Sequence, residues 1–247
     1  MIAGPKNLNR MMPGRLLRNI SAVSLLIATT SAMAQIDGYS ASYAAEYRGR
    51  NVGDSVFSLS QGAQPGEYVF TSTTRARGLA RLAAPRPVID RSEFIVENGT
   101  IRPLRFSHED GSRKGEDNHT IEFAADALTA TVSGEGYTRE LPLDAGVLDR
   151  GSLQAAMVIA LRNGEELTQF NVLDEQSIDE YSFVLEGRSS VETPMGELQT
   201  LRYRQQRAGS SRFTLIDFAP SLSFVPAKIE QIRDGESQSA FLLESID

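Results

Sequence analysis

The sequence predicts a mainly β protein: a large curved antiparallel sheet, or a partly open barrel or sandwich, around one buried helix at about 150–162. Three observations carry that prediction. Side chains alternate with period two over most of the chain beyond residue 35, as strands with one buried face require. Pro65-Gly66, Asn98-Gly99 and Asp234-Gly235 punctuate the alternation as hairpin turns. The stretch Leu153–Leu161 switches to the helical period.

The chain opens with a different pattern. Lys6, Arg10, Arg15 and Arg18 lie in a stretch without acids, followed by the apolar and small-residue run Ile20–Ala28 and by Ala32-Met33-Ala34. Basic, apolar, then A-x-A is the layout of a secretory signal peptide, with the cut expected between Ala34 and Gln35. The apolar run is shorter than the roughly 20 residues that cross a bilayer. Residues 35–247 are therefore expected to form one β-rich domain in a bacterial periplasm, with no transmembrane segment once the leader is removed.

Composition narrows the chemistry. The chain has no cysteine, which excludes disulfides, thiolate nucleophiles, thiolate metal sites and a lipid-modified N-terminal Cys. The leader takes four of the 25 basic residues and none of the 32 acids, leaving a formal balance of −11. So acidic a domain suits solubility or a basic partner; it is a poor match for nucleic acid or an anionic membrane surface.

The elements follow in order. Tyr39, Ala41, Tyr43, Ala45 and Tyr47 share one strand face, and Asn51-Val52-Gly53 is expected to turn the chain. Ser55–Ser60 returns with Phe57 and Leu59, and Glu67–Ala76 follows with Tyr68 and Phe70. Pro85 and Pro87 forbid a central strand in the 78–87 stretch. Val88–Glu97, Leu104–Ser107, His119–Phe123, Ala127–Ser133 and Tyr137–Leu141 resume extended structure.

Leu153, Ala156, Met157, Ala160 and Leu161 then fall on one helical face, with Asp149 or Ser152 able to cap the start and Asn163-Gly164 the end. Val158 and Ile159 make the flanks apolar too. A helix apolar nearly all round must be covered on most faces, so it is expected in the concavity of the sheet. Strands at 167–173, 181–188, 198–206, 212–218, 227–233 and 239–246 complete twelve or so.

Four places resemble a known family. They are the Tyr-rich strand and Gly turn of Tyr43–Gly53, the Asp149-to-Ser152 helix entry, the turn Thr193-Pro194-Met195-Gly196-Glu197-Leu198, and the stretch Ala219–Ile229. Together they resemble a bacterial envelope family catalogued as domain of unknown function 3108. The chain has no Trp, and Phe218 stands where the family often has one. The resemblance implies a periplasmic, mostly antiparallel β protein and no activity. A curved sheet around a helix is also similar, as a fold, to periplasmic lipoprotein carriers.

Candidate chemistry is sparse. If the hairpin 104–123 is symmetric, Leu104 faces Phe123, Phe106 faces Ile121, and His108 faces His119. Two imidazoles near Glu109, Asp110 and Asp117 could hold Zn²⁺ or another divalent ion and support a metal-dependent hydrolase; the plainer alternative is a pair of half-exposed histidines at a hairpin end. No G-x-S-x-G or S-x-x-K motif is present, and Gly134-Glu135-Gly136 is a turn rather than a phosphate loop. Acid pairs such as Asp174-Glu175 and Asp179-Glu180 read as exposed loop charges. No cofactor is expected.

The expectation is therefore a non-enzymatic binding module for an apolar envelope ligand, a lipid or a lipidated partner. Tyr39, Tyr43, Tyr47, Phe57, Phe70, Met157 and Leu161 are the candidate lining, though the same residues would equally fill a core. The alternative is an assembly factor that contacts envelope proteins through strand edges.

Overall fold

A computed structural model describes residues 36–97, 99–175 and 177–247. The leader and its cut site lie outside the described residues. The described residues form fourteen strands and one α-helix. In the first half the strands are β1 (Tyr39–Tyr47), β2 (Arg50–Gln61), β3 (Glu67–Ala76), β4 (Val88–Glu97), β5 (Thr100–Glu109), β6 (His119–Phe123), β7 (Thr129–Gly134) and β8 (Tyr137–Pro142). The helix α1 (Arg150–Arg162) follows. The second half holds β9 (Gln169–Asp174), β10 (Ser177–Thr193), β11 (Gly196–Arg207), β12 (Arg212–Ala219), β13 (Val225–Arg233) and β14 (Glu236–Ile246).

All fourteen strands belong to one antiparallel sheet, with β1 between β2 and β14 at its centre. Each half is a meander of hairpins, so sequence neighbours are sheet neighbours. The sheet is not closed. Its two edges, β8 and β9, are consecutive in the chain, and α1 is the connection between them. The expectation of a mainly β curved sheet with one helix matches this architecture.

The first turn falls earlier than the sequence suggests. Arg48 and Gly49 take positive φ of 49° and 72° and join β1 to β2, so Asn51-Val52-Gly53 is strand. That pair of left-handed residues matches the twist of the flanking strands. Gly53 meets a different constraint, because a Cβ there would lie 2.3 Å from the carbonyl oxygen of Arg75 on β3. The β5–β6 register agrees with the symmetric hairpin, pairing Phe106 with Ile121 and His108 with His119.

The edge at β9 is covered by the strap that leads into the helix. Leu148 N donates to Asn171 O at 2.9 Å and Leu173 N donates to Leu148 O at 2.8 Å, a short parallel bridge. Successive residues of β9 point to opposite faces and serve two cores. Val172 joins the main cluster with Tyr43, Phe57, Phe70, Phe94 and the buried face of α1. Leu173 joins a second cluster with Phe106, Ile121, Val132, Leu143 and Val147.

The helix is fixed at its first turn. Asp149 is the N-cap and is fully buried. Its Oδ1 accepts from Gly151 N and Ser152 N at 2.8 and 2.9 Å, and its Oδ2 accepts from the Ser92 hydroxyl of β4 at 2.9 Å. Ser152 Oγ returns the favour by accepting from Asp149 N at 2.9 Å. Gly151 lets the helix approach this closely: a Cβ there would sit 2.5 Å from Cβ of Ser92.

Burial raises the Asp149 carboxyl above its ordinary value of 3.8, against the pull of its hydrogen bonds. A carboxyl with a raised folded-state value contributes stability below its unfolded value and loses it as pH rises through the folded one. Asp149→Asn keeps the acceptor and offers Ser92 a donor. The stability of the protein relative to this variant is therefore expected to fall as pH rises from about 4 to 7, measured by denaturant unfolding at each pH. A difference that is constant or grows with pH contradicts the assignment.

Candidate binding site at the mouth of the sheet

The inner face of the sheet changes character along its strands. Deep positions are apolar: Leu59, Phe70, Phe106, Ile121, Tyr203 and Ile216 are buried. One step nearer the Arg48–Gly49 end, the register brings polar side chains into line. Ser72, Asp90, His108 and His119 are successive partners across β3, β4, β5 and β6. In the other half, Tyr181 faces Arg207, and Gln205, Thr214, Gln231 and Ser239 are successive partners across β11 to β14.

Arg150, the first residue of α1, joins the halves. Its guanidinium lies 3.6 Å from Asp90 of β4 and 3.6 Å from Asp174 of β9, and 5.4 Å over the Phe106 ring. One cation thus links a carboxylate of β4 in the first half of the sheet to one of the edge strand β9 in the second. Partial exposure screens both pairs, so their value is positional more than energetic.

The histidines sit in the first half of this mouth. His108 Nδ1 is 2.6 Å from Asp90 Oδ1, and His119 Nδ1 is 3.0 Å from the carbonyl oxygen of Asp117. The ring centroids are 5.3 Å apart. A carbonyl only accepts, so His119 Nδ1 carries a proton, and in the neutral ring Nε2 is then a bare lone pair. His119 is 4% exposed, and that Nε2 is buried without a hydrogen-bond partner among the described residues. Among the described residues no group of three His, Asp or Glu is placed to hold a metal ion.

The second half of the mouth opens a cleft of about 400 Å³ between β9–β10 and β12–β13. Arg207 closes one wall by bonding Asp179 at 2.9 Å. Burial, then Asp179 and Asp174, push the Tyr181 hydroxyl above its ordinary value, so it stays a neutral donor at physiological pH. On the opposite wall Arg212 and Arg233 are direct register partners across β12 and β13. Among the described residues Arg212 has no carboxylate partner, and Arg233 has only the exposed Asp234 at 3.6 Å. Like charges directly opposite each other destabilise a strand pair. Ser210, Ser211 and Gln231 add hydrogen-bonding groups around them.

The seven residues expected to line a ligand site do not form one site. Tyr43, Phe57, Phe70, Met157 and Leu161 are buried in the main core cluster. Tyr43 packs tilted against Phe57 with centroids 4.7 Å apart, and its hydroxyl donates to Pro226 O at 2.9 Å. Tyr39 lies at the edge of that cluster, its hydroxyl pushed up to about 12 by burial. Tyr47 is 51% exposed at the mouth, with Arg48 over its ring. The small residues Ala156 and Ala160 do leave space, but on the outer side of α1. They line a groove of about 330 Å³ with Ile101, Ile159 and Phe170.

Sequence reasoning missed Asp90, Arg150, Asp174, Tyr181, Arg207, Arg212 and Arg233. Counting outward from the β4–β5 turn, where Glu97 pairs with Thr100, would set Asp90 opposite Ser107. A bulge between Glu93 and Phe94 shifts the register by one and brings Asp90 to His108 instead. The Arg212–Arg233 pair was hidden in the same way: counting from the β12–β13 connection, where Ala219 pairs with Val225, would set Arg212 opposite Ile232, and a bulge between Asp217 and Phe218 brings it to Arg233.

Nitrogen-edited NMR of the imidazoles tests the local geometry. Both histidines are expected as the Nδ1–H tautomer when neutral, with His119 Nε2 showing the shift of an unprotonated nitrogen. An Nε2–H tautomer at His119 contradicts the Asp117 bond.

Comparison with known proteins places the fold. A family model described as "Protein of unknown function (DUF3108)" matches residues 39–235. Among curated proteins nothing matches the chain. A crystal structure of a β-barrel-like protein of domain of unknown function DUF1849 from Brucella abortus is similar at TM-score 0.50 and 11% identity, covering 85% of this chain and 97% of that one. A Parabacteroides distasonis protein described as a lipoprotein candidate is similar at TM-score 0.35 and 10% identity, covering 86% and 96%. At these identities the first likeness speaks for the fold alone.

Proposed function

Because the chain belongs to the DUF3108 family of proteins of unknown function, we propose its role from the geometry of the mouth. The protein is a non-catalytic binding module of the bacterial envelope, and its polar cleft takes a small ligand with a carboxylate or phosphate group. The observation that carries this reading is the direct opposition of Arg212 and Arg233 on one wall of the cleft. An anion seated between them relieves their repulsion and gains two charge-assisted hydrogen bonds. Tyr181 and the nearby serines supply neutral donors for the rest of the ligand.

The basic, apolar, A-x-A leader supports the envelope location. Two features support a binding role over a catalytic one. Among the described residues neither imidazole is hydrogen-bonded to a serine hydroxyl. The sequence also lacks the nucleophile motifs that place such a serine.

A wholly apolar ligand has a second, separate place to go. The groove between α1 and Phe170 offers an acyl chain the surface of Ile101, Ala156, Ile159 and Ala160, and a lipid or lipidated partner would lie there. Assembly through strand edges is less favoured. β9 is covered by Leu148, and β8 carries the exposed charges Arg139 and Glu140, which discourage strand addition.

The test compares thermal unfolding with and without inorganic phosphate or succinate. The unaltered protein is expected to gain stability with ligand by mass action. Arg212→Gln/Arg233→Gln is expected to lose that gain while becoming slightly more stable without ligand, by a few tenths of a kcal/mol. An equal gain in protein and variant, or no gain in either, overturns the reading. Native mass spectrometry before and after solvent extraction then distinguishes a lipid in the α1 groove from a polar ligand in the cleft.

A further inference from the structure

The connection between β3 and β4 is unlike the rest of this acidic chain. From Tyr68 to Ile89 there is no acid, and four arginines, Arg75, Arg77, Arg81 and Arg86, are all exposed. Between them Gly78–Leu82 forms a short 3-10 helix with no buried residue. Leu79 is 85% exposed and Leu82 is 77% exposed, the two most exposed large apolar side chains among the described residues. A 3-10 helix has three residues per turn, so positions three apart eclipse. Leu79 and Leu82 therefore make one apolar ridge, with arginines before, between and after it.

The loop is held at both roots. Arg77 N donates to Val52 O at 2.7 Å and the Arg77 guanidinium pairs with Asp54, both on β2. Arg86 N donates to Gly111 O at 3.1 Å in the β5–β6 connection. The ridge is thus presented on a supported loop rather than left to collapse onto the sheet. It projects from the same end as the Arg48–Gly49 turn and the polar mouth, because antiparallel hairpins alternate ends. Neighbouring charges are mixed: Arg113 and Lys114 against Asp110, Glu116 and Asp117.

We propose that residues 75–87 dock the protein on an anionic lipid surface, Leu79 and Leu82 entering the interface and the arginines meeting phosphate headgroups. Two exposed leucines cost solubility and serve no packing role here, and such ridges rimmed by cations fit an apolar layer under negative charge. The chain's overall acidity does not oppose this. Salt screens charges beyond a Debye length of about 8 Å, so the local arginines govern contact. Docked this way, the mouth of the sheet faces the membrane.

Vesicle flotation tests the proposal with the protein as purified from a bacterial host. Binding to phosphatidylglycerol vesicles is expected, with little binding to phosphatidylcholine vesicles and release at high salt. Leu79→Ser/Leu82→Ser is expected to weaken binding at least about tenfold, and Arg75→Gln/Arg81→Gln/Arg86→Gln to abolish the preference for phosphatidylglycerol. Both variants lie outside the core, and circular dichroism checks that they fold. Comparison within one background cancels any contribution of the leader. No binding to either vesicle, equal binding to both, or leucine variants that bind unchanged overturns the proposal.

Discussion

The bond from the Ser92 hydroxyl to the buried Asp149 carboxylate is the point on which the open sheet depends. Fourteen strands hold one another along a single hydrogen-bonded ladder, but that ladder stops at β8 and β9. What joins those edges is the strap and α1, and the helix is pinned to β4 through its N-cap. Burying a carboxylate is costly unless its hydrogen bonds are made. Here two backbone N–H groups and one hydroxyl make them, and Gly151 removes the Cβ that would hold helix and strand apart.

That anchoring decides what the mouth contains. With α1 fixed at its first turn, its apolar length packs over β3, β4, β5 and β9, in the core cluster that holds Phe70 and Phe94. The next residue after the cap, Arg150, necessarily emerges at the polar level, between Asp90 and Asp174. The same placement leaves Ala156 and Ala160 on the outer side of the helix. A packed floor and a charged rim therefore follow from one capping interaction, and a ligand of the cleft meets arginine and tyrosine before any apolar surface.

Much of the fold was legible because strands with one buried face impose period two, and helices covered on most sides impose dense apolar spacing. The β5–β6 register was legible because no bulge interrupts it. Asp90 was not, because the Glu93–Phe94 bulge moves it by one residue. Gly53 looked like a turn residue, while its real constraint is the carbonyl of Arg75 on the next strand. Asp90 and Asp174 lie on strands far apart in the sheet order and share only Arg150 of α1, and short-range patterning carries no information about that distance. Tyr43, Phe57 and Met157 show why core and cavity look alike in sequence: alternation says which side chains point inward, not whether they touch.

Hydrogen exchange measured by mass spectrometry on the protein and on Ser92→Ala tests the anchoring directly. The variant keeps the backbone bonds to Asp149 and loses only the tie to β4. Faster exchange is predicted in the strap at 143–149 and in β9, with β1, β2 and β14 unchanged. Exchange that rises uniformly across the sheet, or does not rise at the strap and β9, would contradict the claim that this bond holds the seam together.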